Sequence, residues 1–221
     1  MPAILFGSIS TVADTSELQR AAFNDAFSLH GLDWRWDQPE YQTMLVGSGG
    51  QNRIAEYATE RGEEVDAEAV HATKSTLFQQ SLATAELEPR PGVVDSIRAA
   101  KDADWKLALV TTTSHANIES LLGGLGGAVS PSDFDIIVDA SSVDQPKPDP
   151  AAFDYALDRL GEQAADCVAI EDNVGGFQAA RSAGLSCVAF PNENTAGHDF
   201  DGAPVINSLS FDDLRNRRRS H

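Results

Sequence analysis

Four short stretches of the 221-residue chain carry side chains able to bind or move an anion. Ser8, Ser10 and Thr11 lie in Gly7-Ser8-Ile9-Ser10-Thr11, and Thr111, Thr112, Thr113 and Ser114 form a hydroxyl run. Lys147 opens Lys147-Pro148-Asp149-Pro150, and the acidic pair Glu171 and Asp172 precedes Asn173. Hydroxyls and backbone amides at a helix start cradle phosphate, and a lysine adds a point charge. Asp172, with Glu171 beside it, offers the hard oxygen donors that suit Mg²⁺. Taken singly, each stretch has a plainer reading as a helix cap, a turn or a solvated acidic loop. Their order is what argues for a joint site, because each lies beyond the end of a short apolar run.

Those apolar runs, at 3–6, 107–110, 136–138, 167–170 and 187–190, alternate with helical patterns. They predict an α/β fold with a mostly parallel sheet, since runs this short and this uniformly apolar need helices on both faces. In such sheets ligands bind outside the carboxyl ends of the strands, where the four stretches fall. Residues 151–160 predict a helix with Phe153, Ala156, Leu157 and Leu160 on one face and Gly161 as its C-cap. The first strand is followed not by a second strand but by a long helical segment. Asp14 is expected to cap its first helix with Glu17 as capping-box partner, ahead of an apolar face of Leu18, Ala22, Ala26 and Leu29, ending at His30-Gly31. Further helices are expected at 51–61 and 66–82, and Arg90-Pro91-Gly92 marks the return to strand–helix alternation. Residues 15–87 therefore read as a helical cap inserted after strand one, over a core formed by 1–14 and 88–221.

Composition narrows the function classes. Hydrophobic residues make up 42% of the chain, too many for a disordered one. Acidic residues outnumber basic ones 34 to 16, giving a net charge of −18 that opposes a nucleic-acid partner. The one basic cluster, Arg215, Arg217, Arg218 and Arg219, reads as a solvated tail. No stretch approaches the roughly 20 apolar residues of a membrane span, and the start reads as a strand rather than a signal peptide. Cys167 and Cys187 form no disulfide framework, so a reducing cytoplasm is the expected setting.

At these motifs the sequence resembles the haloacid dehalogenase superfamily, in its cap-bearing phosphatase and phosphomutase branch. That family opens with hhhDxDGTLhDT, where h is apolar; here residues 3–6 are followed by Gly7-Ser8-Ile9-Ser10-Thr11-Val12-Ala13-Asp14-Thr15. The second motif is similar at 107–113, the third at Lys147-Pro148-Asp149-Pro150, and the fourth at Glu171-Asp172-Asn173 with Gly175, Ala179, Ala180 and Gly184. Residues 31–37, 49–54 and 111–117 most resemble the CbbY-type sugar-bisphosphate phosphatases. The resemblance implies a Rossmann-like core with a helical cap, Mg²⁺, and hydrolysis of a small phosphorylated sugar.

The departures are as specific as the matches. The family's nucleophile and its acid/base are the two aspartates of the first motif, and this chain has Gly7 and Ile9 there. Glycine has no side chain, and isoleucine can neither attack phosphorus nor carry a proton. A histidine of the first cap helix is replaced by Gln19 and a cap-loop lysine by Gln51, while Arg53 is kept. The resemblance therefore implies loss of the aspartyl-phosphate route, with Ser8 and Ser10 as nucleophiles that lack an adjacent base. It also implies retained phosphate binding at Thr111, Thr112, Lys147 and Arg53. Mg²⁺, expected at Asp172 and Glu171, should bind more weakly without the carboxylate at position 7. Lys147, deprived of that carboxylate, is expected to hold an anion itself, so that free phosphate or a small phosphorylated metabolite binds without Mg²⁺. An active phosphatase working by a modified mechanism is the competing reading.

Overall fold

The computed structural model describes residues 1–46 and 49–217. Strands β1 (Ala3–Phe6), β2 (Lys106–Val110), β3 (Ile136–Val138), β4 (Val168–Glu171) and β5 (Ser186–Ala189) form one parallel sheet in the order β3-β2-β1-β4-β5. In register, Leu5 lies beside Ala108 on one side and Ala169 on the other. Side chains alternate across a strand, so each strand feeds two cores. Ile4, Phe6, Leu107, Leu109 and Ile170 point to one face, and Ala3, Leu5, Ala108, Val110 and Ala169 to the other. Helices cover both faces, which explains strands apolar along most of their length, with Lys106, Glu171 and Ser186 at strand ends.

Four helices stand between β1 and the return to the sheet: α1 (Ser16–Leu29), α2 (Gln38–Met44), α3 (Gly50–Arg61) and α4 (Ala67–Thr84). They are followed by α5 (Val93–Asp102), α6 (His115–Gly124), α7 (Ala151–Leu160), α8 (Val174–Ser182) and α9 (Phe211–Arg215). Helices α1–α3 and the start of α4 bury an aromatic cluster of their own, with Phe23, Phe27, Trp34, Trp36 and Tyr41 at its centre. The Trp36 ring lies 4.6 Å from Phe27 and 4.9 Å from Phe23, centroid to centroid. Helix α4 packs on α1 and α6, joining this layer to the sheet-covering helices.

The α1 expectation shifts in two respects. Thr15, not Asp14, occupies the cap position, and Asp14 Oδ1 instead accepts from the backbone N and the hydroxyl of Ser16, at 3.0 and 2.7 Å. Leu29 is exposed, while Phe23 and Phe27 are buried beside Ala22 and Ala26. The tryptophans that follow α1 fold back on that side and rotate the buried face toward the aromatic residues. Arg218 and Arg219 of the basic tail lie outside the described residues; Arg215 and Arg217 are exposed.

Candidate functional site

The parallel register brings the ends of β1, β2 and β4 together. Gly7 N donates to Ile170 O at 2.7 Å, and Thr111 N to Val138 O at 2.9 Å. Between these strand ends and α1–α4 lies a cavity of about 420 Å³. Its floor includes Gly7, Ser8, Thr111, Thr112, Lys147 and Asp172. Its wall includes Gln19 and Phe23 of α1, Arg53 of α3, and His71 and Lys74 of α4. The predicted residues thus surround one space, Glu171 excepted.

Lys147 does not stand open to an anion. Its buried Nζ donates to the carbonyl oxygens of Gly7 and Val110 and, at 2.6 Å, to Glu171 Oε1. Glu171 is fully buried, and a Cβ built at Gly7 or at Gly176 would overlap its carboxyl group. Two glycines therefore leave a slot, and a carboxylate from β4 fills it as the counter-ion of Lys147. The expectation of a lysine freed by Gly7 missed this neighbour. Burial pushes the Glu171 carboxyl up to about 7, although Lys147 pulls the other way. Its Oε2 has no hydrogen-bond partner among the described residues.

Asp172 faces the cavity but is itself occupied. Its Oδ1 accepts from Ser8 Oγ at 2.7 Å and from Asn173 Nδ2 at 2.8 Å, and its Oδ2 from Asn192 Nδ2 at 2.6 Å. Ser8 accordingly has an adjacent carboxylate, which the sequence did not disclose. Ile9 packs into the apolar core. These donors do not fit Mg²⁺, which needs near-octahedral oxygen ligation. Glu171 is turned away to Lys147, position 7 offers no carboxylate, and both Asp172 oxygens accept hydrogen bonds. Among the described residues no three His, Cys, Asp or Glu side chains are grouped to hold a metal ion.

The wall has the opposite character. The Arg53 guanidinium lies 5.7 Å from the Tyr41 ring centroid and 5.9 Å from that of Phe23, and its Nε donates to Met44 O at 3.1 Å. Lys74 is buried, with Nζ 4.6 and 4.7 Å from the ring centroids of Phe23 and Phe78. Nζ also donates to Gln19 Oε1 at 3.2 Å. Burial, reinforced by Arg53, pushes Lys74 down to about 7. Burial and then the cations Lys74 and Arg53 push His71 down to about 4, so its ring is neutral at neutral pH. Neither Lys74 nor His71 was singled out from sequence. A signal existed: Val70, Lys74, Phe78 and Leu82 are spaced four apart on one buried helix face, and the lysine occupies a core position in that series.

Comparison with known proteins agrees with this architecture. A family model described as haloacid dehalogenase-like hydrolase matches residues 1–184, and the chain belongs to that family. Within it, the chain is related to the CbbY proteins. It is 38% identical to protein CbbY of Cereibacter sphaeroides over 204 residues, covering 91% of this chain and 89% of that one. It is also 38% identical to the plasmid-borne CbbY of Cupriavidus necator, covering 93% and 84%. A crystal structure of mutant CbbY from Rhodobacter sphaeroides in complex with xylulose-(1,5)bisphosphate superimposes with a TM-score of 0.85 at 36% identity, covering 93% of each chain. CbbY from the same organism has also been solved in complex with phosphate. Among the described residues no helix is long and apolar enough to cross a membrane.

Proposed function

We propose that this chain is a catalytically silent relative of the CbbY phosphatases that binds a phosphorylated sugar between an α/β core (residues 1–14 and 88–221) and a helical cap (residues 15–87). The observation that carries the reading is position 7. Glycine stands where the family resemblance expects the nucleophile, and the buried Glu171 carboxyl fills the adjoining space. No covalent aspartyl-phosphate can form there, and Ile9 cannot shuttle a proton. The separate aromatic cluster of α1–α4 supports the division into core and cap.

Binding is a different matter from turnover. Arg53 and Lys74 supply positive charge on the cap side, and Thr111 and Thr112 supply hydroxyls on the core side. Because Glu171 neutralises Lys147, the anion sits nearer the cap than the motif pattern implies. Phosphate and xylulose 1,5-bisphosphate, held by CbbY structures, are the first ligands to try. Calorimetry without Mg²⁺ should show binding of both at millimolar concentration or below. Phosphate release from a panel of sugar phosphates should stay at background with or without Mg²⁺. Turnover at rates ordinary for enzymes would overturn the reading.

A second reading rests on the 2.7 Å contact between Ser8 Oγ and Asp172 Oδ1. A serine beside a carboxylate that accepts its proton is a nucleophile of modified type, and the chain would then be an active phosphatase. Ser8→Ala separates the two readings, since it abolishes slow phosphate release only under the second.

A further inference from the structure

The chain has four lysines, and three of them are paired with carboxylates: Lys101 with Asp133 at 2.8 Å, Lys106 with Glu162 at 2.7 Å and Lys147 with Glu171 at 2.6 Å. Lys74 has no carboxylate partner among the described residues. It is nevertheless buried, its Nζ lies over the rings of Phe23 and Phe78, and it lines the cavity. A buried ammonium without a counter-ion sheds its proton readily, and the neutral amine keeps a lone pair for reaction. The surroundings favour that form. Gln19 Oε1 accepts one hydrogen at 3.2 Å, and the charged or titratable groups nearby are Arg53 and a neutral His71, with no acid among them. Desolvated lysines of this kind are the ones that form Schiff bases with carbonyl compounds.

We propose that Lys74 is an imine-forming amine that captures the carbonyl carbon of an open-chain phosphorylated sugar. The inference rests on the reading that the cavity accepts a phosphorylated sugar. In the step, the Nζ lone pair attacks the carbonyl carbon and the C=O π pair moves to oxygen. One amine proton passes to that oxygen to give a carbinolamine. Loss of the hydroxyl with the second amine proton, as water, leaves C=N. No oxidant or reductant takes part. Arg53 lines the same cavity and adds positive charge for the phosphate.

Borohydride trapping tests this on the intact protein, with dihydroxyacetone phosphate as the carbonyl probe and glycerol 3-phosphate as the matched compound without a carbonyl. Peptide mass spectrometry should find the probe's mass less one oxygen atom on Lys74, with Lys101, Lys106 and Lys147 unmodified. Glycerol 3-phosphate should bind in calorimetry yet leave no adduct. Lys74→Arg should lose the adduct, while Lys101→Arg, at an exposed lysine outside the cavity, should form it in full, which ties the trapping to one amine. Binding of both probes with no adduct, or an adduct spread over the exposed lysines, overturns the imine alone. Failure of either probe to bind, with no adduct, overturns both the imine and the phosphorylated-sugar reading.

Discussion

The two sides of the cavity handle a buried lysine in opposite ways. On the floor, Lys147 is saturated by two backbone carbonyls and the Glu171 carboxylate, and its charge is cancelled within the protein. On the wall, Lys74 has an amide and two aromatic faces for company, and Arg53 nearby adds to its cost. A saturated lysine contributes to the folded state and little to ligand selection. An unsaturated one strains the folded state and gains when an anion or a carbonyl arrives. The contrast teaches that a motif match does not by itself show whether a cation is already paired within the protein. The lysine of the third motif is sealed into the floor, and a lysine that the four motifs do not mark lines the cavity wall.

The largest effect expected from this contrast is on stability. Glu171→Ala leaves Lys147 buried without its counter-ion and should lower the unfolding free energy by about 3–5 kcal/mol, read from denaturant unfolding. Pairing Glu171→Gln with Lys147→Met should recover most of that loss, as replacement of whole buried pairs does. On the wall, Lys74→Met should leave stability no lower and should raise it at neutral pH, because the uncompensated buried charge is gone. Its phosphate affinity should nevertheless fall about tenfold, the loss of one charge-assisted hydrogen bond. If the paired floor replacement abolishes phosphate binding and Lys74→Met does not, the comparison is inverted.

A pH series sharpens the same contrast. Glu171 is raised to about 7 in the folded state, so between about 4.5 and 7 the folded chain holds the extra proton and stability falls as pH rises. Lys74 is lowered to about 7, so from about 7 to 10.5 the unfolded chain holds the extra proton and stability climbs with pH. The two contributions meet in a minimum near neutrality. In thermal melts Glu171→Gln should flatten the acidic limb and Lys74→Met the alkaline one. Phosphate affinity should increase as pH is lowered from 8 to 6, because a protonated Lys74 binds the anion better. Least of all should come from the surface: Asp95→Ala breaks an exposed pair with Arg98 at 3.7 Å and should shift stability by less than about 0.5 kcal/mol.

What the sequence disclosed was what depends on short-range pattern. The helix expected at 151–160 is observed at Ala151–Leu160 with Gly161 in the left-handed region at φ +69, and the strands fall within a residue of their apolar runs. The convergence of Thr111, Lys147 and Asp172 followed from a general rule about parallel sheets. The place of Glu171 did not, because it depends on an absence at Gly7 and another at Gly176, far apart in the chain and side by side in the fold. Ser8 beside Asp172 was hidden for the same reason, at a separation of 164 residues. Lys74 was hidden differently. A lysine on a helix normally reads as solvated, and only the i, i+4 company of Val70, Phe78 and Leu82 marks it as buried.

The slot between Gly7 and Gly176 bears on how such a site can change over generations. A chain that regains aspartate at position 7 meets an occupied space, since the Glu171 carboxyl lies where the new side chain must begin. An aspartate at position 7 is therefore opposed by the glutamate that the fold already holds there. Gly7→Asp with Ile9→Asp restores the letters of the motif and still requires Glu171 to withdraw from Lys147 before the side chain at position 7 has room. Whether position 7 can carry a side chain at all is thus decided by where a single glutamate rests.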